Sequence, residues 1–138
     1  MKNLFDIRGR VVVVTGGAGI LGRSICVYLA GQGACVAVLD RDEKAGEALV
    51  GEIRAAGGDA LFFATDVLNR EVLVSNREAI LGAWGQIDIL LNAAGGNMGG
   101  ATIAPDKSFL DLRSKLSARS WTSICSARCC PRRSSARP

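Results

Sequence analysis

The stretch Val11–Asp40, VVVVTGGAGILGRSICVYLAGQGACVAVLD, decides the fold of this chain. Its β-branched start predicts a buried strand over residues 10–15, and a glycine-rich turn follows directly. Ile20, Ile25, Leu29 and neighbouring small residues then predict a helical stripe, which Gly31 and Gly33 bring to an end. A second apolar run predicts the next strand. Strand, turn, helix and strand in this order are typical of one unit of a parallel α/β sheet.

The same alternation continues along the chain. Residues 60–66 and 87–95 predict a third and a fourth strand, the last running into a loop of small residues. Helices are predicted before each of them, and Asp42 and Asn69 are placed to cap those helices. Alternating strands and helices favour parallel strands joined by right-handed crossovers. The sequence therefore predicts an α/β fold, the N-terminal part of a Rossmann doubly wound parallel sheet.

Composition divides the chain into two parts. Residues 1–112 hold 10 Lys/Arg and all 13 Asp/Glu, a balance of −3, and predict the globular domain. Residues 113–138 hold seven Lys/Arg and no acid, a balance of +7, and form an irregular tail rich in Ser, Arg and Cys. No apolar run reaches the roughly 20 residues of a membrane span, and no signal peptide is visible. We therefore expect a cytoplasmic protein without a membrane partner.

The glycine-rich turn fits a nucleotide-binding pattern. Gly17, Gly19 and Gly22 match G-x-G-x-x-G directly after a strand and at the start of a helix. Glycines allow a close backbone approach to a pyrophosphate, and the helix N-terminus offers N–H groups to the anion. The alternative is a plain strand-to-helix turn that favours glycine for its conformation alone.

Asp40 ends the second strand, about 20 residues beyond the turn, where a carboxylate can accept hydrogen bonds from both ribose hydroxyls of NAD. The same carboxylate would repel the 2′-phosphate of NADP, so NAD is the expected cofactor and NADP the alternative. Arg41 favours NADP instead, because a guanidinium can bind its 2′-phosphate. Asp40 could also be a helix cap or a solvated strand end.

These motifs resemble those of the short-chain dehydrogenase/reductase family. The segment from Thr15 to Gly22 resembles its cofactor turn, Asp66-Val67 resembles the pair that holds the adenine, and residues 92–95 (NAAG) resemble the motif that closes over the cofactor. The resemblance covers Phe5 to about Leu112. The cofactor-binding residues that it implies are Gly16, Gly17, Gly19, Ile20, Leu21, Gly22, Asp40, Arg41, Asp66, Val67, Asn92, Ala94 and Gly95.

The resemblance also implies an activity. Family members are NAD(P)-dependent oxidoreductases that interconvert an alcohol and a ketone on small-molecule substrates, and they form homo-oligomers. Ile20 departs from the commonest turn, which has glycine at this position. The segment LNAAGGNMGGATIAP (residues 91–105) is similar to the fructuronate or mannonate oxidoreductase subset.

The catalytic residues of the family do not have counterparts in this sequence. The family uses a serine, a Tyr-x-x-x-Lys pair and a helix asparagine, all beyond the fourth strand. The only tyrosine here, Tyr28, falls in the first helix, is followed by Gln32 four residues later, and is expected to be a packing residue. We therefore predict no catalytic residue and no metal ligand, and expect the chain to be inactive as written. A non-catalytic dinucleotide-binding module is the alternative function.

The tail is best explained as sequence read out of frame, with the C-terminal half of the family missing. Shifting the reading frame within the Leu112 codon permits a continuation that contains DLNLLGT, which resembles the next helix of the family. The DNA sequence around codons 110–115 would test this. The alternatives are a basic tail that interacts with nucleic acid, although Trp121 is its only aromatic residue, and a metal or redox role for Cys125, Cys129 and Cys130. We do not expect a nucleic-acid partner.

Overall fold

The computed structural model describes residues 5–95. Strands and helices alternate strictly over this range. The elements are β1 (Val11–Thr15), α1 (Ile20–Gly31), β2 (Cys35–Asp40), α2 (Glu43–Ala55), β3 (Asp59–Ala64), α3 (Arg70–Trp84) and β4 (Ile89–Asn92). All strand pairs are parallel, in the order β3-β2-β1-β4. The predicted α/β Rossmann arrangement is confirmed, and the predictions made for the 113–138 tail lie outside the described residues.

The valines of β1 form the centre of the sheet. They alternate between its faces: Val12 and Val14 pack on the side of α1 and α2, whereas Val11 and Val13 pack on the side of α3. Both faces are covered because each crossover places a helix on the sheet, so β1 is a continuous apolar run rather than an alternating one. No helix within residues 5–95 has the length and apolar character needed to cross a membrane.

Two of the three helices begin with a side-chain cap, as predicted. The Asp42 carboxylate accepts a hydrogen bond from the Ala45 N–H at 3.0 Å. Asn69 Oδ1 accepts from the N–H groups of Glu71 and Val72 at 3.0 and 3.3 Å. These bonds satisfy donors that the first helical turn leaves without a partner. The N-cap of α1 is Gly19, which has no side chain to do the same.

The small residues of the predicted α1 stripe are buried, whereas Ile25 and Leu29 are only half-buried, with Leu29 packed against the core. Gly22, Cys26 and Ala30 face the sheet, while Ile20 is 95% exposed and Tyr28 is 66% exposed. Residues four apart share a helix face, and a residue two positions away points nearly to the opposite side. The prediction of Tyr28 as a packing residue was therefore wrong. Small residues occupy the stripe because α1 lies close to β1.

The fourth strand is shorter than the sequence predicted. It begins at Ile89 because Asp88 contacts β1 with its side chain: the carboxylate accepts from the Val11 N–H and from Arg10 Nη1, both at 2.9 Å. The Val11 amide, and after it the Arg10 guanidinium, lower the pKa of Asp88 below its usual value. The Asp88 carboxylate lies at the amino ends of β1 and β4, opposite to the carboxyl ends of the strands described next.

Candidate functional site

The carboxyl ends of the four strands meet at one edge of the sheet, which is where ligands bind in open α/β folds. The residues predicted from the sequence all lie on the segments that leave this edge. The turn at 16–19 follows β1, Asp40 ends β2, residues 65–67 follow β3, and residues 92–95 end and follow β4. Parallel topology therefore brings together segments that are up to about 80 residues apart in the sequence.

Two glycines of the turn are required by close backbone contacts. Gly16 has a φ of 65°, and a Cβ at this position would lie 2.7 Å from the Cα of Ala94. A Cβ on Gly22 would lie 2.2 Å from the carbonyl oxygen of Gly16. The turn, the start of α1 and the loop after β4 are thus packed backbone against backbone. Of the other two predicted glycines, Gly17 is buried and Gly19 is exposed.

Thr15 connects this turn to the β4 loop. Its side chain is buried, and Thr15 Oγ1 accepts a hydrogen bond from the Ala94 N–H at 3.2 Å. Its carbonyl oxygen accepts from the Ala93 N–H at 3.1 Å. The predicted site residues did not include Thr15. The available signal was a hydroxyl at the end of an otherwise apolar buried strand, since buried hydroxyls require a partner.

The N-terminus of α1 is open. No side chain caps it and its first turn contains no acid, in contrast to α2 and α3. A helix N-terminus carries a partial positive charge and unpaired N–H groups, so this position can bind an anion. Ile20 and Leu21 stand beside it, 95% and 68% exposed. They present apolar surface next to a backbone that is suited to negative charge.

Asp40 has the position predicted for it and additional hydrogen bonds. Its Oδ2 accepts from the Ala18 N–H at 3.0 Å, and its Oδ1 accepts from the Asp42 N–H at 3.1 Å. The half-buried carboxylate therefore joins the glycine turn to the start of α2. A carboxylate has about four acceptor positions, so further donors can be accommodated. Arg41 is exposed, and its guanidinium forms no hydrogen bond or ion pair within residues 5–95.

The segment after β3 is a tight turn. Asp66 Oδ1 accepts from the Leu68 N–H at 3.0 Å, and the Asp66 carbonyl accepts from the Asn69 N–H at 2.9 Å. Asp66 is exposed and Val67 is half-buried. The carboxylate is thus held by its own turn, and one of its oxygens forms no hydrogen bond in the described part of the chain.

The segment at the end of β4 lies directly beside the turn. Asn92 is the last residue of β4 and pairs in register with Thr15. Its side chain is exposed and makes no hydrogen bond within residues 5–95. Ala94 is half-buried against Gly16, and Gly95 is exposed.

The thiol beneath the turn is not a reactive group. Cys26 is fully buried, with its sulfur 3.9 Å from the carbonyl oxygen of Gly17. Burial raises the pKa of the Cys26 thiol to about 12. Because the thiolate is the nucleophile, this side chain is a packing group. Among residues 5–95 no three Cys, Asp or Glu side chains are grouped closely enough to hold a metal ion.

Comparison with known proteins decides the family. A sequence model of the family described as short chain dehydrogenase matches residues 10–121. The chain belongs to the short-chain dehydrogenase family. The match continues nine residues past the boundary predicted at Leu112, and it confirms the resemblance drawn from the motifs.

Relatives within the short-chain dehydrogenase family include oxidoreductases and NAD-bound structures. The uncharacterized oxidoreductase UxuB of Bacillus subtilis (strain 168) is 46% identical over 92 residues, which are 67% of this chain and 33% of UxuB. The chain thus spans about a third of the length of this curated relative.

Two solved structures are similar. One, from Haemophilus influenza with bound NAD and provisionally described as a D-mannonate oxidoreductase, has a TM-score of 0.75 and 27% identity over 88% of this chain and 47% of its own. The other, an NAD⁺-bound xylitol dehydrogenase, has a TM-score of 0.73 and 30% identity over 88% of this chain and 45% of its own.

Proposed function

We propose that the edge formed by the strand ends binds NAD, and that the chain belongs to an enzyme that interconverts an alcohol and a ketone. One observation supports this most strongly. The open N-terminus of α1 follows the glycine turn, and the Asp40 carboxylate is joined to that turn through the Ala18 N–H. A pyrophosphate next to a ribose fits a site in which an anion-binding backbone and a hydroxyl-binding carboxylate are neighbours.

The residues divide between the parts of the dinucleotide. The turn and the first residues of α1 would hold the pyrophosphate, Asp40 the adenosine ribose, and the segment after β3 the adenine. The segment at the end of β4 would close over the cofactor. A bound NAD would supply the chemistry, as the acceptor of a hydride from the alcohol carbon. The residues assigned to it are Gly16, Gly17, Gly19, Ile20, Leu21, Gly22, Asp40, Asp66, Val67, Asn92, Ala94 and Gly95, with Arg41 beside the ribose.

We expect the unmodified chain to bind NADH more tightly than NADPH, and Asp40→Ala to reduce this preference. The change removes hydrogen bonds to a charged acceptor, which corresponds to about tenfold or more in NADH affinity, and it removes the repulsion of a 2′-phosphate. Titration of both dinucleotides by fluorescence quenching measures the ratio. Glu43→Ala, which removes an exposed acid at the start of α2, is the matched control and should leave the ratio unchanged. Tighter binding of NADPH by the unmodified chain would instead assign the selection to Arg41.

The proposed substrate class is a polyol or a sugar acid. The similarity of residues 91–105 to the mannonate type supports it, and so do the descriptions of the two similar structures. The cytoplasmic location, the homo-oligomeric assembly and the domain boundary at residue 112, with an out-of-frame tail after it, remain part of this proposal.

We further propose that the chain as written binds the cofactor without turning over a substrate. Its single tyrosine, Tyr28, is on the outer face of α1 and lacks the partner lysine. General acid catalysis alone is typically worth about 10²–10⁴-fold. Incubation with NAD and a panel of polyols and sugar acids should produce no NADH absorbance, whereas a xylitol dehydrogenase in the same assay should produce it. Turnover proportional to the amount of this chain would contradict the proposal. NADH binding without turnover also describes the alternative function, a non-catalytic binding module.

A further inference from the structure

A hydrogen bond between the buried Thr65 and the half-buried Asn76 connects α3 to the end of β3. Thr65 is 3% exposed, and its hydroxyl donates to the Phe63 carbonyl and accepts from Asn76 Nδ2, both at 2.8 Å. The Thr65 N–H donates to the carbonyl of Asp40 at 2.8 Å. The Thr65 hydroxyl therefore has a protein partner both as a donor and as an acceptor. Directional bonds of this kind fix a local conformation, because breaking one leaves a buried group unsatisfied.

The pair lies between the two segments assigned to the adenosine. Asp40 lies in the segment assigned to the ribose, and Asp66 and Val67 lie in the segment assigned to the adenine. Thr65 is bonded to the first through its backbone and is covalently joined to the second. Asn76 is the group on α3 that holds the Thr65 hydroxyl in this orientation.

Docking of α3 on the sheet does not require this amide. Leu73, Ile80 and Trp84 already pack α3 against the apolar side of the sheet formed by β1 and β2. An aliphatic residue at position 76 could extend that packing, whereas the half-buried Asn76 amide carries a desolvation cost that its bonds to Thr65 Oγ1 and, at 3.5 Å, to the Ala64 carbonyl must offset. The presence of an amide at position 76 is thus explained by its hydrogen bond to Thr65, whose hydroxyl it orients.

We infer that Asn76 is a positioning residue for the adenosine end of the site, acting through Thr65 on the turn that carries Asp66 and Val67. The inference rests on the proposed function, because it takes these residues as the adenosine contacts. Asn76 does not touch the cofactor in this arrangement. It sets the separation between the Asp40 carboxylate and the turn after β3.

The test compares variants that break the pair with variants that preserve it. Asn76→Leu and Thr65→Val each remove one partner and should weaken the binding of ADP-ribose about tenfold, the size of effect expected when one hydrogen bond that orients the turn is lost. Thr65→Ser keeps the hydroxyl and should bind ADP-ribose with the affinity of the unmodified chain. Ile80→Val destabilises the same helix without touching the pair, and Ser75→Ala changes an exposed neighbour. Both should bind ADP-ribose as the unmodified chain does. Titration calorimetry gives the affinities, and thermal unfolding gives the stability of each variant.

A second measurement does not depend on any ligand. Hydrogen exchange in the free protein should accelerate at the amides of Leu68 and Asn69, which are bonded to Asp66, in Asn76→Leu but not in Ile80→Val. Equal ADP-ribose affinity in all variants, or an equal loss in Ile80→Val, would overturn the inference while the proposed function stands. If the unmodified chain binds neither ADP-ribose nor NADH, the proposed function fails. The exchange rates then decide whether Asn76 orders this turn.

Discussion

Gly22→Ala should abolish measurable NADH binding and lower the free energy of unfolding by about 1–3 kcal/mol, the usual cost of overpacking. The added Cβ would lie 2.2 Å from the carbonyl oxygen of Gly16 and 2.8 Å from the Cα of Gly17. Both are backbone atoms, and Gly16 cannot move away because it already packs against Ala94. Relief therefore requires α1 to move away from the turn, which separates the helix N-terminus from the glycines.

Gly31→Ala is the matched control for this result. Gly31 lies in the same helix, and a Cβ there would meet no atom within 4 Å apart from its chain neighbours and the backbone of its own helix. Alanine has the higher helix propensity, so stability should be unchanged or slightly raised, with NADH binding unaffected. Fluorescence titration and urea denaturation of both variants provide the comparison. Retention of parental NADH affinity by Gly22→Ala would show that contact between helix and turn is not needed for binding.

The second large effect is expected at the centre of the core. Leu49 of α2 is 0% exposed and belongs to the cluster that includes Val12, Val14, Val36 and Val38. Leu49→Ala removes this apolar volume and leaves a cavity, which costs about 2–5 kcal/mol. Total stabilities of small domains are about 5–15 kcal/mol, so a large share of the folding free energy is lost.

Leu68→Ala makes the same chemical change at a site that is 59% exposed. Little apolar surface returns to water there, so the expected loss is below about 1 kcal/mol. Equilibrium denaturation with urea measures both variants. The slope of the unfolding free energy against urea concentration should be unchanged in each. Equal losses at the two positions would show that the helix α2 is not packed on the sheet as described.

Short-range sequence signals were sufficient for the order of the elements and for the place of the turn. The valine run of β1, the caps Asp42 and Asn69 and the glycine pattern act over a few residues, so each can be recognised without knowing what it packs against. The parallel direction of the strands also follows, because a helix separates each strand from the next and so allows a crossover connection. The sequence also placed Asp40 correctly at the end of β2, because the apolar run that predicts this strand stops at Asp40.

Contacts between distant residues could not be obtained in this way. The bond from the Ala94 N–H to Thr15 joins residues 79 positions apart, and that from Asn76 to Thr65 joins neighbouring elements whose facing sides are set only by packing. The sequence of α1 offers two stripes, a large apolar one with Ile25 and Leu29 and a small one with Cys26 and Ala30. The small one is fully buried, because α1 approaches the Gly16 carbonyl closely at Gly22, and Leu29 of the large stripe only half-buries itself against the core. Which face of a helix meets the sheet depends on the total volume available, and that volume exists only in the folded chain.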